Sequence, residues 1–150
     1  MISFREYVAE TTSDVTHIIH HSIKHSGFSP DALCSGGRCY EFAHKLRRKL
    51  KLLGHDAHAM DSTEWIRNHN RYGGELGWAE ESNLLDNNHA WVFHNGKHYD
   101  ALNPEGVDRP RDMKFFKSTA TDWHEPDRDE KQYQMKTTGK KYSREHDKFI

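Results

Sequence analysis

The chain has 150 residues, enough for one hydrophobic core but not for two comfortable ones. Only 34% of the residues are hydrophobic and 30% are charged, which points to a modest core under a polar periphery. The formal net charge of −1 gives no overall electrostatic case for nucleic acid or an acidic membrane as partner.

No stretch approaches the ~20 apolar residues of a membrane span, and the N-terminus lacks the basic-then-apolar pattern of a secretory signal. Two cysteines make no disulfide framework, which fits a reducing compartment. The expectation is a cytoplasmic single domain over residues 1–150, with an N-terminal helical region over 1–30.

Two helices are expected in that N-terminal region. Ser3 caps a short one containing Phe4, Tyr7 and Val8; Ser13 or Asp14 caps a second containing Val15, Ile18, Ile19 and Ile23, closed near Gly27. His17, His20, His21 and His25 fall in the second, and the pairs 17/21 and 21/25 have the i, i+4 spacing that can place two imidazoles on one metal. The glutamate of an H-E-x-x-H motif is missing, so the pattern reads as a histidine-rich polar face and no metal or cofactor is assigned. Ser29-Pro30-Asp31 starts a turn leading to Cys34, which reads as structural or as a loop residue near Cys39.

The stretch from Gly36 to Gly54, GGRCYEFAHKLRRKLKLLG, organises the chain. Two glycines allow a sharp entry, and from Cys39 onward Ala43, Leu46, Leu50 and Leu53 recur at helical spacing, ending where Gly54 can take a left-handed cap. Cys39 then lies on the apolar stripe at the top of a helix, where the partial positive charge of the terminus favours a thiolate. A cysteine on such a stripe also reads as a small buried hydrophobe.

His55 to Asp61 alternates small or apolar residues with polar ones, as in a strand. From Ser62 to Asp86 the periodicity blurs, and a long glycine-containing connection with Trp65 and Trp78 reads either as a substrate-binding loop or as a loop pinned by its tryptophans.

Asn88 to Asn103, NHAWVFHNGKHYDALN, carries the second clear signal. Asn95-Gly96 predicts a type I′ hairpin in which His94 faces Lys97, Phe93 faces His98 and Val92 faces Tyr99. His89, Trp91, Asp100 and Leu102 then share one side of the ribbon. His89 and Asp100 are diagonal neighbours at roughly 7–8 Å or less between Cβ atoms, within reach of an imidazole–carboxylate hydrogen bond. His94 and His98 are read on the opposite face, at the surface. Thiol catalysis needs such a pair, a histidine to take the thiol proton and an acid to fix the ring's tautomer.

The order Cys39, His89, Asp100, with GGRCYEFAHKL opening a helix, His-Ala-Trp-Val on a strand and Tyr-Asp on the next, resembles transglutaminase-like cysteine enzymes of the wider papain-like superfamily. The resemblance spans about Gly36 to Pro104 and implies an α+β fold. The nucleophile-bearing helix would pack on a small antiparallel sheet, with a catalytic core over 36–104. It implies Cys39 as nucleophile, His89 as general base and later acid, Asp100 as the orienting residue, and the Cys39 backbone N–H in an oxyanion hole. Trp78 and Trp91 are expected to touch substrate.

The implied activity is that of a cysteine hydrolase acting on a peptide or side-chain amide. Amine transfer and a catalytically silent binding domain are the alternatives, and the partner is a protein or peptide substrate.

Beyond Pro104 the chain turns polar. Met113, Phe115 and Phe116 are expected to add an edge strand or short helix. Asp122 to Lys131 and Thr137 to Lys148 read as solvated loop or tail, part of a polar C-terminal region over about 120–150. Lys136, Lys140, Lys141 and Arg144 form a local basic patch without the aromatic repeats of a nucleic-acid surface.

Overall fold

A computed structural model describes residues 14–118 and 125–150; the short helix expected over Phe4 to Val8 lies outside them. Helix α1 (Asp14–Ser26) buries Val15, Ile18 and Ile19 on one side. Helix α2 (Pro30–Leu33) replaces the expected turn, because the Ser29 hydroxyl accepts the Ala32 N–H at 3.2 Å and proline is tolerated in a first helical turn. Gly36 and Gly37, at φ 58° and 81°, then turn the chain into α3 (Arg38–Leu52).

The apolar stripe of α3 follows the one read from the sequence at Cys39, Ala43, Leu46 and Leu50, which are buried; Phe42 joins them, and Leu53, just past the helix, is partly buried. The stripe packs with Ala57, Ala90, Val92, Tyr99 and Ala101 of the sheet. Leu46 and Leu50 are 2% and 0% exposed. Burial of that completeness stabilises by about 1.5–3 kcal/mol for each leucine.

The sheet is antiparallel in the order β1 (Ala57–Asp61), β2 (Ala90–His94), β3 (Lys97–Asp100), β4 (Asn103–Val107). The predicted hairpin register holds for Val92–Tyr99, Phe93–His98 and His94–Lys97. Asn95 and Gly96 both have positive φ, at 49° and 79°, as the turn requires.

The second face of the sheet is also covered. Met60, Trp91 and Phe93 pack with Trp65, Leu84, Met113 and Phe116. These come from α4 (Ser62–Asn68), α5 (Trp78–Asp86), and the 3₁₀ turn Pro110–Asp112 leading into α6 (Lys114–Ser118). The α+β class therefore holds, with helices on both faces of the sheet.

Three further expectations fail here. Residues 62–86 form two helices and a 3₁₀ turn (His69–Tyr72) instead of a long loop. Asp61 caps α4 by accepting the Glu64 N–H, and Trp65 is buried beneath it.

His98 is 1% exposed, not a surface residue. It lies two positions from Asp100 and so shares that face of the strand, where Trp65 meets it edge-on at 4.7 Å and the Trp91 indole N–H donates to its Nδ1 at 2.9 Å.

The expected C-terminal tail is structured within the described residues. Helix α7 (Arg128–Thr138) is capped by Asp127, and β5 (Tyr142–Ser143) pairs with β6 (Lys148–Phe149).

A buried carboxylate anchors that C-terminal hairpin, beside the hydrogen bond that the Trp78 N–H donates to the Asp147 carbonyl at 2.9 Å and the edge-on contact of Phe149 with Trp78. Asp147, 0% exposed, accepts the Ala79 N–H at 2.8 Å and the Glu80 N–H at 2.9 Å, and the Tyr142 hydroxyl donates to it. It therefore caps α5 from the far end of the sequence, a task that Gly77, the residue before the helix, has no side chain to perform. A Cβ on Gly77 would stand 2.2 Å from the Asp147 carboxylate, so only glycine permits the approach.

Two outcomes are expected. Replacing Asp147 by alanine strands the buried donors and lowers stability by about 2–4 kcal/mol in a denaturant titration; a loss within error would mean the cap is redundant. The second concerns pH. Burial holds His98 neutral and lowers its pKa from 6.5 to about 3, whereas the unfolded chain takes up a proton near the ordinary value. The contribution of the neutral ring is thus intact above pH 6.5 and is lost progressively as pH falls toward about 3. Between pH 7 and 5 wild type should lose about 2 kcal/mol more than His98→Gln, which keeps an acceptor for Trp91 without titrating.

Candidate functional site

His89 stands in the short connection between α5 and β2, and its backbone is clamped from both sides. Its N–H donates to the Ser62 hydroxyl oxygen at 3.1 Å, its carbonyl accepts the Ser62 N–H at 3.1 Å, and the Ser62 hydroxyl donates to the Asn87 carbonyl at 3.0 Å. The ring points its Nε2 at Asp100 Oδ2, 2.8 Å away, with the two residues 0% and 3% exposed.

Asp100 ends β3 and closes an Asx-type turn. Its Oδ1 accepts the N–H groups of Leu102 and Asn103 at 3.0 and 2.8 Å and the Asn103 side-chain amide at 2.8 Å. With three donors on one oxygen, the other is left for the imidazole. The diagonal contact expected from the hairpin therefore exists.

That bond fixes the tautomer. Nε2–H donates to the carboxylate, and Nδ1 carries the lone pair, buried and without a hydrogen-bond partner. Its polar neighbour is the Cys39 thiol, delivered by the first turn of α3 and 7% exposed. Cys39 belongs to the layer on one face of the sheet, while the His89 ring stacks on Phe115 from the layer on the other. The site thus lies where the two layers meet.

The electrostatics of the two thiols diverge. Burial opposes ionisation of Cys39, but the adjacent His89 ring, the Ala90 backbone N–H and the ring's charge outweigh it and bring the thiol below its ordinary value. Burial likewise opposes protonation of His89, yet its bond to Asp100, the adjacent Cys39 and their negative charges raise it above its ordinary value. Cys34 goes the other way: burial first, and then the nearby Asp100 charge, push its thiol up to about 12.

Cys34, His89 and Asp100 are also the one trio of possible metal-ligating residues whose donor atoms lie within 4.8 Å of one another among the described residues. In that trio His89 Nε2 and Asp100 Oδ2 bond each other, and Asp100 Oδ1 holds three N–H groups. His17, His20, His21 and His25 lie on the exposed side of α1, with the His21 and His25 ring centroids 4.2 Å apart.

Of the two tryptophans expected to touch substrate, Trp91 is 1% exposed and lines the narrow space behind Cys39, too small for water. Trp78 is 40% exposed at the start of α5, the end away from His89, and lines an open groove with Tyr133, Glu125, Asp127 and Asp129.

Sequence reasoning missed Ser62, Asn103 and Phe115. Asn103 was within reach, because an aspartate closing a strand three residues before an asparagine is an Asx-turn signal. Ser62 and Phe115 meet His89 across 27 and 26 positions, and no local pattern marks them.

The divergence of the thiols sets an expected outcome. At neutral pH a small haloacetamide should modify Cys39 at least about a hundredfold faster than Cys34, followed by peptide mass mapping. Equal rates would show that the histidine does not activate its neighbour. No family model, curated protein or solved structure matches the chain, and no helix among the described residues is long and apolar enough to cross a membrane.

Proposed function

We propose that the chain is a thiol-dependent acyl-transfer enzyme, a cysteine hydrolase that cleaves a peptide or side-chain amide with Cys39, His89 and Asp100. The observation that carries this reading is the relay itself. A thiol at a helix start faces the free nitrogen of an imidazole whose other nitrogen is bonded, at 2.8 Å, to a carboxylate held by three further donors. The resemblance to transglutaminase-like and papain-like enzymes agrees with the order of the three residues and with a helix packed on an antiparallel sheet.

The chemistry follows from the proton positions. Cys39 passes its proton to His89 Nδ1, and the thiolate sulfur attacks the substrate carbonyl carbon, forming a C–S bond. The developing oxyanion faces the Cys39 backbone N–H, one of the donors left without an intrahelical partner in a first turn. As the C–N bond breaks, the imidazolium returns its proton to the departing amine and a thioester remains. Water then gives a proton to His89 and attacks the same carbon, releasing the acid and the thiol. Asp100 stays ionised throughout, holding the ring and stabilising its cation.

Incubation with an activated ester such as p-nitrophenyl acetate tests this. A burst of nitrophenolate equal to one acetyl group per chain is expected, with the acetyl on Cys39 in the mass spectrum, and Cys39→Ala should abolish it. Asp100→Asn should slow acylation by about 10²–10⁴-fold. The rate should rise through a thiol value below the ordinary one and fall through an imidazole value above 6.5. A burst of the same size in Cys39→Ala would sink the proposal.

A further inference from the structure

The relay leaves one close contact of His89 without a role. The Phe115 ring lies on the imidazole with centroids 4.1 Å apart and planes within 11° of parallel, while Phe116 meets the same imidazole edge-on at 5.8 Å. Helix α6 carries both and is anchored by Met113 and Phe116, 0% and 1% exposed, so the placement of Phe115 is set by buried neighbours. Phe115 itself remains partly exposed.

An aromatic face presents the negative lobe of its quadrupole. Over a neutral imidazole that face supplies dispersion and little else. Over an imidazolium within ~6 Å it adds an electrostatic attraction, so the stack favours one protonation state of the ring beneath it. The titratable groups facing His89 are Cys39 from α3, Cys34 from the segment before it and Asp100 from β3, and its other ring neighbours, Trp91 and Phe116, are uncharged.

We propose that Phe115 is a positioning residue that holds the His89 ring flat and favours its imidazolium form, extending to higher pH the range over which Cys39 and His89 exist as a thiolate–imidazolium pair. The role rests on the thiol chemistry proposed above. It makes an asymmetric demand on the pH profile. The acid limb converts thiol plus imidazolium into thiolate plus imidazolium; the cation is present on both sides, so removing the stack leaves that limb in place. The alkaline limb removes the cation and carries the whole effect.

The test is carboxymethylation of Cys39 by iodoacetate across pH, read beside the His89 ring C2–H resonance, which a His89→Gln spectrum assigns. Phe115→Leu keeps an apolar cover and loses the quadrupole. Its alkaline limb and its His89 titration should both move down by about half to one pH unit, with the acid limb unmoved. Phe115→Tyr should restore the wild-type profile.

Incorporating 4-fluorophenylalanine at position 115 keeps the shape and weakens the quadrupole. It should give a smaller shift in the same direction, and it serves as the deciding variant if Phe115→Leu fails to fold. An unmoved alkaline limb in both overturns the role of Phe115 while leaving the pair intact. A wild-type profile that does not depend on His89 instead removes the thiol reading on which it stands.

Discussion

The hydrogen bond between His89 Nε2 and Asp100 Oδ2 is the contact on which the rest of the site depends, and most of the surrounding structure holds its two ends still. Both groups are buried, so neither finds water to replace its partner, and an unpaired charge at that depth would cost several kcal/mol. The structure meets that cost with a crowded carboxylate on one side and a clamped backbone on the other. Asp100 is fixed by its own turn and by Asn103, and His89 by Ser62 from the start of α4. The imidazole is left with one free nitrogen and one direction in which to use it.

The two cysteines show how finely such a site discriminates. They lie five positions apart, are both buried, and line the same narrow space, yet the environment drives one thiol toward ionisation and the other away from it. Cys39 stands beside a ring that can become a cation, whereas Cys34 is more deeply buried and stands beside the Asp100 carboxylate. Composition and spacing do not separate these cases; depth of burial and the side of the His89–Asp100 pair on which each sulfur lands do.

Legibility in the sequence followed the range of the interactions. The stripe on α3, the Asn95–Gly96 turn and the register of β2 with β3 rest on contacts a few residues apart, and all three were readable. The diagonal pairing of His89 with Asp100 followed from that register. The helices over 62–86 were hidden because their apolar residues, Trp65 and Leu84 among them, are few and are spent against the second face of the sheet rather than in a regular stripe. His98 was misjudged by a slip in strand parity, and a buried histidine beside three aromatic rings has no local signature. The C-terminal segment looked like tail because its few anchoring residues, Asp147 and Phe149 among them, are scattered through a polar run.

Asp147 has a further consequence, for the order in which the molecule can be completed. Ala79 and Glu80 receive their acceptor from a residue 68 and 67 positions later. While the chain leaves the ribosome, α5 therefore emerges with its first turn open and stays so until the C-terminal hairpin has followed it out. The connection that carries His89 lies at the opposite end of that helix and is held by Ser62 and Asp100, so the ring's setting does not wait for the C-terminal hairpin. A nascent chain would hold its cysteines well before it held the partner that distinguishes one from the other.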